Sequence, residues 1–269
     1  MRTNRRSLIL GGASAGLGLV AAGGLGAAFL LEERDPTVHI LGSGNGLSLL
    51  VTNRGTRAIV LLGSNASEFG NALNRVRSPF QDRVDLLLLT GPSIGLAFAQ
   101  RAVDIVQPRA IYSIGNPLRL LDAGIPVNRT LILPHRFSIS DDASIVVPEL
   151  PVSDSIESQS LYWSGRIEHD GKTVMFDSAG PSEARSAGVD PVSTWIRLRG
   201  RIEPAELSEL RPQAFVIDAD AQSGPELRQM LKNDVGYPVS AFRVHDGESA
   251  RIRFRTTGLE LPSHQSNDP

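Results

Sequence analysis

From Val38 onward, short runs of Val, Ile and Leu alternate with turns of Gly, Asn and Pro, the pattern of strands interrupted by a few helices. Val38 to Leu41, Ser48 to Thr52, Ala58 to Leu62 and Val84 to Thr90 read as strands. Asn53-Arg54-Gly55 supplies a hairpin turn between the second and third, where Gly accepts the positive φ of a tight connection. Asn65, three residues ahead of Glu68, is a capped start for a helix to about Arg77, and a second helix, Leu96 to Val106, ends before Pro108. The second half repeats this plan. Leu161 to Glu168 and Lys172 to Phe176 form a hairpin turned by His169-Asp170-Gly171. Helices at Ser182 to Ala187 and Pro204 to Leu210 and the strand Ala214 to Ile217 follow. The helix Pro225 to Val235 and the strands Val239 to Val244 and Arg251 to Arg255 close the domain, and a polar tail over 263–269 is expected to be disordered. Two hairpin-helix-strand halves imply an internal duplication. Packing them sheet against sheet, with helices outside, gives an α/β fold, a four-layer αββα sandwich over residues 36–262.

The first 35 residues form a separate segment. Met1 to Arg6 is basic, Ser7 to Leu31 runs 25 residues without a charge, and Glu32, Glu33, Arg34 and Asp35 close it. That is the layout of a targeting segment. As a helix the run would extend roughly 37 Å at about 1.5 Å per residue, enough to cross a hydrocarbon core of about 30 Å. Asn4-Arg5-Arg6-Ser7-Leu8-Ile9-Leu10 resembles the twin-arginine export signal, in which two adjacent arginines precede an apolar run. The small-residue pair Ala13 and Ala15 falls inside the run, not after it. The expectation is therefore an uncleaved membrane anchor with its positive end in the cytoplasm and the body outside. Cleavage at the looser Gly26-Ala27-Ala28 would give a secreted protein instead.

Composition narrows the chemistry. The chain has no cysteine, which excludes disulfides, thiolate metal ligands and a cysteine nucleophile. Without Arg2, Arg5 and Arg6 the 27 basic residues fall to 24 against 29 acidic ones, so the body is mildly acidic. That argues against nucleic acid as a partner, as does an aromatic content of 5%. Trp163 and Trp195 read as packing residues. The Gly42-Ser43-Gly44-Asn45-Gly46 run lacks both the following helix and the Lys-Ser/Thr pair of a phosphate-cradling loop, and reads as a sharp strand connection.

The opening strand His39-Ile40-Leu41 leads into Gly42-Ser43-Gly44-Asn45-Gly46-Leu47-Ser48, and a later strand ends in Thr90-Gly91-Pro92-Ser93-Ile94-Gly95-Leu96. On these residues and the order of elements, 37–262 resembles the metallo-β-lactamase fold, and within it the soluble domain attached to ComEC-type competence channel proteins. That family carries Val-Gly-Gln-Gly-Asp-Ser at the first place and Thr-His-Pro-His-X-Asp-His at the second. The resemblance implies a cleft where the histidines and aspartate of the second motif hold two zinc ions, which lower the pKa of bound water from about 15.7 towards 7. Here the matching positions are Gly91, Ser93, Gly95 and Leu96. Glycine and leucine offer no donor and a neutral hydroxyl is a poor zinc ligand, so all four zinc positions are lost-ligand positions. The family's bridging aspartate would fall at Asp177 or Ser178. The five histidines, His39, His135, His169, His245 and His264, are scattered with no two at ligand spacing. On this reading no catalytic residue, cofactor or metal is expected.

One constellation keeps the cleft from being blank. Asp218 and Asp220 follow the strand Ala214 to Ile217, at the place that mirrors Thr90 to Pro92 in the duplicated scheme. With Asp177 and Ser93 they would form a polar pocket, and oxygen ligands suit Mg or Mn better than zinc. The alternative is that Asp218 caps a turn and Asp220 is merely solvated. The functional expectation is an exported, non-catalytic binding or scaffold module at the outer face of the membrane, with an unidentified protein or small-molecule partner. The alternatives are a hydrolase using an aspartate-based divalent-metal site, or an accessory to DNA handling by family analogy.

Overall fold

A computed structural model of the chain describes residues 35–77, 83–89, 95–113, 118–130, 134–147, 164–178 and 194–262. All of them lie in the second of two units, Asp35–Pro269. Residues 1–34 of the expected anchor segment, the helix expected at 182–187, the residues at 90–94 and the tail at 263–269 lie outside the described residues.

The strands form two sheets. The first has the order β15-β14-β1-β2-β3-β4-β5-β6. It is built from β1 (Thr37–Gly42), β2 (Leu47–Asn53), β3 (Thr56–Leu61), β4 (Leu86–Leu89), β5 (Ala110–Ser113) and β6 (Arg129–Thr130), joined at the other edge by β14 (Ser249–Arg255) and β15 (Gly258–Glu260). The second has the order β13-β12-β11-β10-β9-β8-β7. Its members are β7 (His135–Ser138), β8 (Ala143–Val147), β9 (Ser164–His169), β10 (Lys172–Ser178), β11 (Thr194–Arg199), β12 (Ala214–Asp218) and β13 (Ser240–Val244). The helices are α1 (Ala66–Val76), α2 (Leu96–Val106), α3 (Leu118–Asp122), α4 (Pro204–Leu210) and α5 (Gly224–Asn233). At α1 the Asn65 carboxamide accepts the N–H groups of Ser67 and Glu68 at 3.0 and 3.3 Å, the cap its sequence foretells.

Strand alternation explains the layering. In β3, Ala58 and Val60 face one way and Ile59 and Leu61 the other, and all four are fully buried. The first set joins Val38, Ile40, Ile145, Phe176, Ile196 and Val216 in a core between the sheets. The second meets Phe69, Ala72, Phe98 and Ala102 of α1 and α2 on the outer face. On the far side Trp195, Phe215 and Ile217 pack beneath Leu207 of α4 and Leu227 of α5. Four layers, αββα, are the arrangement that keeps strands apolar on both faces out of water.

The duplication is visible in the ladders. Along β1 to β6 successive neighbours pair antiparallel, antiparallel, parallel, parallel and parallel. Along β8 to β13 the same five relations recur in the same order. This corrects the expected correspondence. The strand after the hairpin β9–β10 is β11, which the sequence reading passed over, so β11 mirrors β4 and β12 mirrors β5. Asp218 therefore occupies the counterpart of the end of β5, not of Thr90.

The outer face of the second sheet holds a buried charge group. Arg197 of β11 is fully buried; its Nε lies 3.3 Å from Asp177 of β10, an η nitrogen lies 2.8 Å from Glu206 of α4, and its guanidinium sits 4.6 Å from the Trp195 ring centre. The guanidinium nitrogens are not aligned for hydrogen bonds, so the attraction is carried by charge. Arg197→Met removes the cation beside buried Asp177 and half-buried Glu206 and is expected to destabilise the fold by about 3–5 kcal/mol. Chemical denaturation of the variant against the parent measures this; a loss below about 1 kcal/mol would mean the group is not held by Arg197.

Candidate metal centre

The β1–β2 connection, Gly42 to Gly46, meets the ends of β12 and β13 at one rim of the sandwich. Close backbone approach dictates its glycines. A Cβ on Gly42 would stand 2.0 Å from the His245 carbonyl oxygen, and one on Gly46 would stand 2.5 Å from Leu62 Cδ2 at a φ of 150° that side chains avoid. Ser43 and Ser48, hydroxyls 3.0 Å apart and each 2.5 Å from the Leu62 carbonyl oxygen, fix the loop from below. Backbone bonds then seam the two strand ends together: Gly42 N–H donates to Glu248 O at 2.9 Å and Gly247 N–H to Gly42 O at 3.2 Å.

Three carboxylates converge here. β12 and β13 run parallel with Asp218 paired to Val244, so Asp220 and Asp246 each lie two residues beyond the same rung. Each of Asp218, Asp220 and Asp246 has a carboxylate oxygen within 4.8 Å of the others. Asp218 is buried, Asp246 half-buried and Asp220 exposed, so the group opens from the interior towards solvent. Asp218 accepts the N–H of Asp220 at 3.0 Å, and Asp246 accepts the N–H of Gly44 at 2.9 Å. Burial pushes the Asp218 carboxyl above its ordinary range; the Asp220 N–H opposes this, the neighbouring Asp246 and Asp220 carboxylates add to it, and the Gly46 N–H again opposes it. A carboxylate raised by burial and by like charges is one that a cation would relieve. The donor set is three hard oxygens, which fits Mg, Mn or Ca better than zinc.

Of the residues singled out in the sequence, Asp218 and Asp220 come together and Asp177 does not. Asp177 shares its strand face with Met175, on the helix-covered side, where it pairs with Arg197, while Asp218 shares the inter-sheet face of Val216. Asp177 is thus removed from the cleft group. Gly91 and Ser93 lie outside the described residues. Gly95 precedes α2 in an extended conformation and Leu96 opens that helix largely exposed, so neither supplies a donor. Ser178 is buried past a bulge at the end of β10. His39 is buried in β1, His135 lies tilted against the Phe137 ring, and His169 lies 3.1 Å from the Asp142 carbonyl oxygen and edge-on to Phe254; none of these three joins the carboxylates. Asp246 is the member that sequence reasoning missed. Its signal was the Asp246-Gly247 turn, but only the pairing of β12 with β13 brings it beside Asp220.

The expectation of a site without any metal or cofactor is overturned by this cluster, a described set of three carboxylates that could hold a cation.

No family model matches the chain, and no curated protein matches it in sequence. Solved structures do match in shape. CmlA, a diiron β-hydroxylase from Streptomyces venezuelae, aligns with a TM-score of 0.52 at 14% identity over 82% of this chain; the chain spans 55% of CmlA. An isothiocyanate hydrolase from Delia radicum gut bacteria aligns at 0.50 and 14% identity, over 78% of this chain and 97% of that one. A metallo-β-lactamase from Cronobacter sakazakii aligns at 0.42 and 10%, over 77% and 76%. At such identities the likeness is one of fold: the chain has the mixed α/β, two-sheet metallo-β-lactamase fold.

A folded-state carboxyl raised above its unfolded value favours the fold below about pH 4 and loses that contribution as pH rises through the raised value. Asp218→Asn is therefore expected to raise the melting temperature of the cation-free protein at pH 7, by roughly 2–4 °C for about 1 kcal/mol relieved, with the advantage shrinking towards pH 4. Thermal denaturation at both pH values checks it; equal midpoints at pH 7 would count against a strained Asp218.

Proposed function

We propose that the chain is a divalent-cation-dependent hydrolase acting on an ester or phosphoester. The observation that carries this reading is the convergence of Asp218, Asp220 and Asp246 from two adjacent strand ends at the rim of the sandwich. Asp218 would be the innermost ligand, with Asp246 and Asp220 completing the side nearer solvent. A divalent cation so held supplies the positive charge that polarises a substrate oxygen and acidifies water at neutral pH. The chain's own part is to hold the carboxylates pointed at one place. Gly44 N–H does this for Asp246, and the N–H groups of Gly46 and Asp220 do it for Asp218. That CmlA is a diiron β-hydroxylase and the protein from Delia radicum gut bacteria an isothiocyanate hydrolase supports the assignment by fold analogy.

The non-catalytic reading draws its support from Gly95 and Leu96, which offer no ligand where the family motif has two. A cation bound without turnover is the outcome that would favour it. The test uses the full-length chain in mild detergent, stripped of metal and then given Mg, Mn, Ca or Zn. Binding is expected to raise the melting temperature, by the equivalent of about 2.7 kcal/mol at a hundredfold excess over Kd. It is also expected to switch on hydrolysis in a panel of p-nitrophenyl esters and phosphoesters. Asp218→Asn should lose both responses. No turnover with any cation would sink the enzymatic reading.

We further propose that residues 1–35 export the domain across the cytoplasmic membrane. The supporting feature is Arg5-Arg6 ahead of 25 uncharged residues; among the described residues no helix is long and apolar enough to cross a membrane. Replacing Arg5 and Arg6 by Lys is expected to retain the chain in the cytoplasm, and cell fractionation with an antibody to the domain reads the outcome. Unchanged export would remove the twin-arginine reading.

A further inference from the structure

We infer that Arg243 is a positioning residue for the cation site, acting through the peptide that separates two of its ligands; this rests on the cation reading above. Arg243 belongs to β13, paired across from Ile217 and one residue before the Asp218–Val244 rung. An η nitrogen of its guanidinium donates to the carbonyl oxygen of Ala219 at 2.8 Å. The N–H of the same residue donates to Val244 O at 2.9 Å. Ala219 is thus tied to β13 by its donor and its acceptor together, while Asp218 and Asp220 flank it on either side.

The tie has a specific geometric effect. With Ala219 held, the next N–H, that of Asp220, turns back onto Asp218 Oδ1 at 3.0 Å, and Ala221 N–H closes on the Asp218 carbonyl at 3.2 Å. The two side chains leave this turn towards Asp246. Without the guanidinium, the Ala219 carbonyl has the freedom to rotate towards water, and the spacing of Asp218 and Asp220 is no longer set from β13.

Arg243 serves geometry: its guanidinium and the β13 backbone together fix the peptide between Asp218 and Asp220. Moreover, Arg243 Nε lies buried with no hydrogen-bond partner among the described residues, an arrangement that costs stability and that a purely structural apolar residue would avoid. Charge and geometry also predict opposite signs. If Arg243 acted only as a nearby positive charge, removing it would tighten cation binding. If it positions the turn, removing it weakens binding.

The test is a Mn2+ titration of the metal-free full-length chain, followed by electron paramagnetic resonance well below the melting temperature, so that only folded protein is read. Arg243→Met is expected to weaken Mn2+ about tenfold or more and to change the spectrum of the bound ion, in the range seen when groups supporting metal ligands are removed. Arg243→Lys keeps a donor that reaches the Ala219 carbonyl, and is expected to restore most of the affinity. Arg243→Gln, polar but too short to reach, takes the place of Arg243→Met if the latter does not fold. Affinity equal to or tighter than the parent's in Arg243→Met or Arg243→Gln overturns the inference while leaving the cation reading intact. A parent that binds no Mn2+, indistinguishable from Asp218→Asn, overturns the cation reading itself and the inference with it.

Discussion

The central strands are apolar on both faces, and this constraint governs everything else in the molecule. A strand such as β3, with Ala58, Ile59, Val60 and Leu61 all buried, has no side left for water. Its sheet must be covered twice, once by the other sheet and once by helices. Polar chemistry is then confined to the ends of strands, where side chains leave the layers, and to the rare charge that is neutralised inside them. The carboxylate site at the ends of β12 and β13 is the first case. The Asp177–Arg197–Glu206 group under α4 is the second. Asp218 and Asp177 both stand near the carboxyl end of a strand that pairs in parallel in the same sheet. Strand parity sends one to the cleft and the other beneath the helices.

Much of the fold was legible in the sequence because it rested on local signals. The Asn65 cap, the Asn53-Arg54-Gly55 turn and the apolar runs of β3 and β4 each declare themselves within a few residues, and the sandwich followed from counting layers. The missed strands carry weaker signals. Thr194–Arg199 alternates apolar residues with two arginines, and reads as polar until one sees that Arg197 is neutralised by Asp177 and Glu206. Omitting that one strand shifted the whole mirror relation, so Asp218 was matched to the wrong strand end. His135–Ser138 and Ala143–Val147 were passed over as well, lying between the recognisable halves.

The site was half legible for a related reason. Asp218 and Asp220 are near neighbours in sequence and stand at the end of an obvious strand. Asp246 joins them only through the parallel pairing of β12 with β13, a relation between residues more than twenty apart that no local pattern announces. Asp177 failed in the opposite direction. Its place at a strand end was read correctly, but which face it took depended on strand parity combined with a partner on β11. The expectation of a lost zinc motif after β4 also drew attention to the first sheet, whereas the acidic cluster belongs to the second.

The seam that joins Gly42 and Gly44 to residues 246–248 spans 202 positions of the chain between Gly44 and Asp246. β1 and β14, which flank it, come from opposite ends of the domain. The carboxylate site is therefore among the last parts of the molecule to form during synthesis, because its amino-terminal cradle waits for Asp246. Metal selection among oxygen-ligand sites follows availability as much as affinity. On the proposed cation reading, the compartment in which the chain completes its folding decides which ion it first meets.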